Sequence, residues 1–294
     1  MDTHREGSRP QARPGTPGFA RVVCGIDGSR EGFEAVRQAA RLTAPGGRLV
    51  LVAVADYFAA LSGRWGSEPA RRWFAAAAER SLDDRLSEMR DRAGASLALA
   101  ERQADGPVKI SKRLVDGDVD IRLLEAVDAE SATLLVVGTH GGSRIGGAVI
   151  GEATSMVLHE ASASVLVARL PFDPEHFPAT IVVGLDGSPG SREALDAAAQ
   201  LREISGGSLT VLTAGGDADE ATGALGDFAP FHERVISEHR PVDALVDAAR
   251  TADLVVVGSR GLHGARALGS VSERVAHRAS SSVLVVRPCE GRAA

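Results

Sequence analysis

The chain has 294 residues, which is long enough for two domains that each bury a core. Its net charge of −6 and its 4% of aromatic residues argue against a nucleic-acid-binding surface, which needs basic patches and often stacking rings. Two cysteines are too few for a disulfide framework and lack the spacing of metal ligands, and no apolar run reaches the roughly 18 residues of a membrane span. We therefore expect a cytoplasmic globular protein without a metal site, in which Cys24 is a small core residue.

The first half of the chain alternates strand and helix patterns. Residues 1–18, rich in proline, glycine and charge, predict a disordered tail. The first predicted strand, residues 21–27 (RVVCGID), is rich in β-branched residues and ends in Asp-Gly-Ser. The following patterns predict a helix at 31–42, a Gly-Gly turn, a strand at 48–54, helical structure within 68–104, a strand at 109–115, a helix at 119–129, a strand at 134–137, a glycine-rich loop with a helix, and a strand at 164–168.

The second half repeats this order. Residues 180–186 (TIVVGLD) again lead into Gly-Ser, and Asp186 follows Asp27 by 159 positions (186 − 27). The patterns predict a helix at 191–204, a strand at 208–214, a loop at 215–229 in place of the long helix, a strand at 232–237, a helix at 241–249, a strand at 254–257, a glycine-rich loop with a helix, and a strand at 282–286. The agreement indicates an internal duplication. We predict domains at 19–170 and 180–290, joined by a proline-rich linker at 171–179.

Strands that alternate with helices predict the α/β class: two tandem, doubly wound domains, each with a five-stranded, mainly parallel sheet. In such folds the ligand crevice lies outside the carboxyl ends of the strands. Both Asp-Gly-Ser segments fall at such ends, so Asp27 and Asp186 are candidates to accept hydrogen bonds from a base or a ribose. A turn and helix-cap role for these aspartates is equally open, and the two roles are compatible.

Each half also carries a glycine-rich loop between a strand and a helix. The first is GTHGGSRIGGAVIGE at 138–152, and the second is GSRGLHGARALGSVSE at 258–273. Glycines allow the backbone to approach a ligand, and the start of a helix presents unpaired N–H groups that suit a phosphate. Ser270 and Glu273 have the spacing of a capping box. Such loops also occur simply as tight connections, and that alternative stays open.

Together, the paired Asp-Gly-Ser strand ends and glycine loops resemble the universal stress protein family in its tandem form, over nearly all of residues 19–290. The nucleotide signature of that family is Gly, two residues, Gly, nine residues, Gly, and then Ser or Thr. Gly138, Gly141 and Gly151 match its spacing, but Glu152 stands where Ser or Thr is expected. Gly258, Gly261, Gly269 and Ser270 match in type, but only the seven residues 262–268 separate the inner glycines.

The resemblance implies further site residues and a function. Asp27 and Asp186 correspond to the aspartate of the family on the adenine side, and Val54 and Ala214 to the position that offers its backbone to the base. ATP or another adenine nucleotide, with magnesium, is the implied ligand. The implied role is regulatory, in a stress response, with at most weak ATP hydrolysis, since the chain has neither GxxxxGK[ST] nor a GxSxG nucleophile motif. A nucleotide-free interaction module is the alternative.

The departures from the signature predict unequal sites. The carboxylate of Glu152 would lie at a helix start and disfavour a phosphate there, so the first site should bind nucleotide weakly, unless Glu152 points to water. We expect the second half to be the better phosphate site. The resemblance also implies that the two halves pair within the chain through their last strands, and a homodimer of chains is compatible with it.

Overall fold

A computed structural model describes residues 17–56, 82–104, 107–139, 150–171, 173–215, 231–259 and 269–288. The first half contains β1 (Phe19–Ile26), α1 (Arg30–Leu42), β2 (Thr43–Ala55), α2 (Leu82–Glu101), β3 (Lys109–Asp116), α3 (Val119–Glu130), β4 (Leu134–Gly138), α4 (Glu152–Glu160) and β5 (Ser164–Ala168). The second contains β6 (Thr180–Gly184), α5 (Pro189–Ser205), β7 (Ser208–Ala214), β8 (Glu233–Ser237), α6 (Pro241–Ala248), β9 (Leu254–Gly258), α7 (Ser270–Arg278) and β10 (Ser282–Val286).

The ten strands of the described residues form one sheet, in the order β3-β2-β1-β4-β5-β10-β9-β6-β7-β8. Every neighbouring pair is parallel except β5 and β10, which pair antiparallel. Within each half, the strands numbered in chain order lie side by side as third, second, first, fourth and fifth. The direction of winding therefore reverses between the first and the fourth strand. The prediction of two doubly wound, mainly parallel α/β halves is confirmed, and so is their pairing through the last strands.

The junction between β5 and β10 relates the halves by an approximate two-fold axis. Leu166 lies opposite Leu284, its own equivalent 118 positions later (284 − 166), and Val165 and Val167 lie opposite Val285 and Val283. Pairing between equivalent residues is the mark of a symmetric interface. Both strands are fully buried, so each covers the apolar edge that the other would otherwise expose.

Helices cover both faces of the sheet, and each core continues across the junction. One face carries α1, α2 and α5, with Leu42 and Leu201 in the same buried cluster. The other face carries α3, α4, α6 and α7, with Leu158 and Val275 in a second cluster. Cys24 lies in the first cluster with no exposed surface, as predicted, and its burial raises the pKa of its thiol.

The start of the second strand differs most from its predicted boundary, since β2 begins at Thr43 and not at residue 48. The Gly-Gly turn expected before the second strand lies inside β2, where the register with β1 shifts between Phe19 and Arg21. Gly46 adopts φ +76° there, a conformation that glycine allows, so the extra residues form a bulge and do not end the strand.

Several predictions fall outside the described residues: most of the tail (1–16), the start of the long helical stretch (68–81), most of the predicted loop (216–229), Gly141, Gly261 and Cys289. The part of the long helical stretch that is described is helix α2. None of the described helices is both long and apolar enough to cross a membrane.

Candidate functional site

The carboxyl edge of the sheet brings the predicted residues of each half together. Ile26 pairs with Ala53, so Asp27 lies level with Val54 on the neighbouring strand. Gly184 pairs with Leu212, which in the same way places Asp186 level with Ala214. The last residues of β4 and β9, Gly138 and Gly258, adjoin these positions on the other side of β1 and β6. The site geometry is therefore present twice, where the winding of each half reverses.

The carbonyl of Val54 points to a position beyond the end of β1. The carbonyl of Ala55 accepts a hydrogen bond from the Gly117 N–H at 3.1 Å, on the β3 side. Successive residues of a strand direct their N–H and C=O groups to opposite sides, so those of Val54 face the β1 side. Its N–H lies beside the last residue pair of this ladder, Ile26 with Ala53, and its C=O extends past the end of β1.

Ala214 has the same orientation in the second half. The carbonyl of Leu212 accepts from the Leu185 N–H at 2.9 Å on the β6 side, and Gly215 donates to Ser237 at 3.3 Å on the other. Ala214 is two residues after Leu212 and one before Gly215, so its N–H and C=O point to the β6 side, as those of Leu212 do. Because β6 has ended there, these two groups extend past the neighbouring strand.

Asp27 and Asp186 organise the turn that starts the next helix. Oδ1 of Asp27 accepts hydrogen bonds from the Ser29 N–H (2.9 Å) and hydroxyl (2.6 Å), and Ser29 Oγ accepts from the Gly32 N–H (2.9 Å). The second half repeats this arrangement. Oδ1 of Asp186 accepts from the Ser188 N–H (3.0 Å) and hydroxyl (2.6 Å), and Ser188 Oγ accepts from the Ser191 N–H (3.2 Å). The turn and cap role left open by the sequence is thus present in both halves.

The aspartates remain exposed while they hold these turns. Partial burial would by itself raise the pKa of the Asp186 carboxyl, but hydrogen bonds from Ser188 and Ser191 outweigh it, and the pKa lies below its ordinary value. An ionised carboxylate only accepts hydrogen bonds. Asp186 therefore suits a ligand group that donates one, such as a ribose hydroxyl.

The first glycine of each loop packs against the chain's own helix. A Cβ on Gly258 would overlap the backbone of Gly190 and would lie 2.8 Å from the Ser191 N, at the start of α5. A Cβ on Gly138 would lie 3.1 Å from the carbonyl carbon of Glu31 in α1. The sequence predicts that the glycines allow a ligand to approach the backbone. At these two positions the backbone approaches a helix of the protein instead.

Helices α4 and α7, which follow the two loops, begin without a side-chain cap. Gly151 and Gly269 are their N-cap residues, both extended, and neither helix has a side-chain hydrogen bond at its cap. The predicted capping box is wrong, because Ser270 is the first helical residue and not the N-cap. Glu273 donates its N–H to the Gly269 carbonyl at 3.0 Å, and its carboxylate lies 3.4 Å from Nε2 of His159 in α4.

The two helix starts differ in how they are attached to the sheet. In the first half, Gly151 donates its N–H to Thr139 O and Thr154 donates its hydroxyl to Gly138 O, both at 3.0 Å. In the second half, Ser272 stands where Thr154 stands in the first, and its hydroxyl donates to Gly269 O at 3.0 Å. No hydrogen bond among the described residues repeats either attachment to β9.

Ser259 adds a polar group at the second site that the sequence analysis missed. It follows Gly258, donates its N–H to Val286 O at 2.9 Å, and is 3% exposed. Within the described part of the chain its hydroxyl has no hydrogen-bond partner. A buried hydroxyl without a partner is costly, which is a reason to expect a ligand there. Its position between two signature glycines was the only signal in the sequence.

Two surface clefts of about 450 and 350 Å³ lie elsewhere, beside α3 and between α1 and α5, and none of the predicted site residues that the structure describes lines either one. In the first half, Glu152 is exposed in the first turn of α4. The candidate site therefore consists of strand ends and helix starts, with Gly141 and Gly261 outside the described residues.

The family model for universal stress proteins matches residues 18–169 and 217–287, which is more than half of the chain. The chain belongs to the universal stress protein family. The second match begins at residue 217, so β6, α5 and β7 fall outside it, although the sheet repeats the order of the first half through them.

Known universal stress proteins agree with this membership. One from Mycolicibacterium smegmatis is 33% identical over 189 residues, which cover 55% of this chain and 64% of that protein. One from Mycobacterium tuberculosis is 29% identical over 209 residues, or 62% of this chain and 70% of that protein. The chain thus spans less than two thirds of the first of these relatives. The crystal structure of a universal stress protein from Archaeoglobus fulgidus matches 90% of this chain and 95% of its own, with a TM-score of 0.64 and 20% identity, which shows a shared fold.

Proposed function

We propose that this universal stress protein binds an adenine nucleotide at the carboxyl edge of its second half and acts as a regulatory protein in a stress response. The observation that carries the proposal is the contrast between the halves. The first half uses the Gly151 amide and the Thr154 hydroxyl to attach its helix start to the end of β4. In the second half no hydrogen bond among the described residues repeats these attachments, and the buried Ser259 hydroxyl has no partner among them.

The groups at the second site suit the parts of such a ligand. The first turn of α7 presents backbone N–H groups at the positive end of the helix dipole, which favours a phosphate. The N–H and C=O of Ala214 form a donor and acceptor pair, and adenine carries a donor amine beside ring-nitrogen acceptors. Asp186 accepts a hydrogen bond from the ribose. Magnesium would accompany a triphosphate.

The first half should bind nucleotide more weakly. Its Gly151 amide already donates to Thr139 O, and Glu152 places a carboxylate in the first turn of α4, where a phosphate would have to lie. Like charges at one helix start oppose each other. We expect one nucleotide per chain.

A nucleotide-free interaction module is the second candidate. It is favoured by Gly138 and Gly258, since both pack against the protein's own helices and need no ligand to explain them. In that case the duplicated fold persists and the pockets no longer bind nucleotide. A cytoplasmic location, a homodimer of chains and at most slow ATP hydrolysis remain predictions under either candidate.

Calorimetric titration and thermal unfolding with ATP and magnesium test the proposal. At a nucleotide concentration 100 times Kd, binding to the native state adds about 2.7 kcal/mol of stability, which raises the unfolding midpoint by several degrees. Ser270→Ala should weaken binding without changing the midpoint of the nucleotide-free protein. Glu152→Ser should raise the stoichiometry above one per chain. If millimolar ATP leaves the wild-type midpoint unchanged, the interaction module is the better description.

A further inference from the structure

Two buried arginines, Arg169 and Arg287, immediately follow β5 and β10, the two strands that join the halves. They are equivalent residues, 118 positions apart (287 − 169), and are 7% and 8% exposed. Each ends the apolar strand of one half and extends its side chain into the other half. Neither was singled out by the sequence, although VLVAR and VLVVR are visible repeats.

Arg169 belongs to the first half and binds the end of α7 in the second. Its Nη2 donates to the carbonyl of Ala276 at 2.5 Å, and its Nη1 donates to that of Ser281 at 3.2 Å. Its backbone N–H donates to the hydroxyl of Ser282 at 2.9 Å. Ala276 belongs to the last turn of α7, whose carbonyls lack partners within the helix.

Arg287 makes the equivalent contacts on α4, related by the approximate two-fold axis. Its Nη2 donates to the carbonyls of Leu158 and, at 3.2 Å, His159, and its backbone N–H donates to the hydroxyl of Ser164 at 3.1 Å. Leu158 and Ser164 precede Ala276 and Ser282 by the same 118 positions. The two-fold relation of the halves thus includes these two arginines, each of which binds a helix end of the other half.

The energetics of burial indicate that these contacts are specific. Burial lowers the pKa of the Arg169 guanidinium to about 10, and burial likewise lowers that of Arg287, opposed by the carboxylate of Glu160. Both side chains stay cationic at neutral pH. A buried cation is costly unless acceptors surround it, and the negative end of a helix supplies them.

Arg169 is held by a further polar network that links α1 to β10. Gln38 donates through Nε2 to the Arg169 carbonyl at 2.7 Å and accepts at Oε1 from the Ser282 hydroxyl at 2.8 Å. The residue equivalent to Gln38, 159 positions later (197 − 38), is Ala197, so the second half has no such side chain. The first half therefore fixes Arg169, and through it α7, more firmly than the second half fixes Arg287.

Each of these helices connects an arginine contact to a candidate site. Helix α7 has nine residues and spans about 14 Å, with Gly269 and Ser270 at one end and the Arg169 contact at the other. Helix α4 links Gly151 to the Arg287 contact in the same way. We propose that Arg169 of the first half is a positioning residue for the nucleotide site of the second half, and Arg287 is one for the site of the first. The nucleotide part of this inference rests on the proposed function.

A crossed pair of variants, Arg169→Met and Arg287→Met, tests the proposal by amide hydrogen exchange and ATP affinity. Arg169→Met should speed exchange in α7, leave α4 protected, and weaken ATP binding by about tenfold. Arg287→Met should speed exchange in α4 and leave ATP affinity close to wild type. Arg250→Met, which removes an exposed arginine at the end of α6, is the matched control and should change neither.

The crossed pattern separates positioning from loss of stability. Equal loosening of both helices by either variant, or loosening of α4 by Arg169→Met, would overturn the proposal. If the methionine variants fail to fold, Arg169→Lys and Arg287→Lys keep the charge and remove the forked contact, and the same pattern is expected. If wild-type protein binds no ATP, the proposed function fails, while hydrogen exchange still decides whether each arginine fixes the helix of the opposite half.

Discussion

At the residue scale, two of the glycines in the nucleotide signature have a structural reason of their own. Gly258 ends β9 against Gly190 at the start of α5, and neither position has room for a Cβ. The contact holds the end of a strand against the turn formed by Asp186 and Ser188. It follows that the presence of these glycines is weak evidence for a ligand. Ser259 is stronger evidence, because it is buried and its hydroxyl has no partner among the residues that the structure describes.

Replacing Gly258 with alanine tests this assignment. The added Cβ overlaps the Gly190 backbone, which cannot move away as a flexible side chain would, so we expect a loss of about 1–3 kcal/mol in the free energy of unfolding. Gly94→Ala is the control, because Gly94 lies inside α2 with open space around it and should gain about 0.5–1 kcal/mol. Urea unfolding measures both. An unchanged stability for Gly258→Ala together with lost ATP binding would indicate that Gly258 makes room for a ligand and not for α5.

At the element scale, the helices divide by the way they begin. Helices α1 and α5 start at serines whose hydroxyls cap the helix and are themselves held by Asp27 and Asp186. Helices α4 and α7 start at glycines with no side-chain cap. The first pair is thus complete without a ligand. The second pair lacks a side-chain cap, and of these two helix starts we expect α7 to accept an anion, because Glu152 lies in the first turn of α4.

Two serine substitutions distinguish these helix starts. Ser188→Ala removes the cap of α5 and its bond to Asp186, so the free energy of unfolding should fall by about 1 kcal/mol. Ser270→Ala removes an exposed hydroxyl that caps nothing and should change stability by less than about 0.5 kcal/mol. Chemical unfolding without nucleotide measures both changes. A loss of about 1 kcal/mol for Ser270→Ala would restore the capping box that the sequence predicted.

At the scale of the whole molecule, the two halves share one sheet and both cores. Leu166 and Leu284 meet at the two-fold axis, and the buried clusters on each face contain side chains from both halves. Neither half could expose its last strand to water without uncovering a fully buried apolar row. Cooperative unfolding of the entire described fold should follow.

Leu284→Ala tests this coupling, because it opens a cavity at the centre of the junction. The side chain is fully buried, so the expected cost is about 2–5 kcal/mol. Differential scanning calorimetry should show a single transition for both proteins, at a lower midpoint in the variant. Two separate transitions, of which the variant lowers only one, would mean that the halves unfold independently.

The sequence by itself determined the duplicated α/β architecture, because strands and turns depend on local signals. The strands at 164–168, 208–214 and 282–286 lie where short apolar runs predicted them, and both Asp-Gly-Ser turns carry their own cap chemistry. Only the tertiary structure decided that Gly258 packs on Gly190 and that Gly269, not Ser270, is the N-cap of α7. It also decided that Arg169 and Arg287 each bind the end of a helix in the opposite half. Those contacts join residues that are distant in the chain or depend on backbone direction at a helix start, and a local pattern of residue types contains neither.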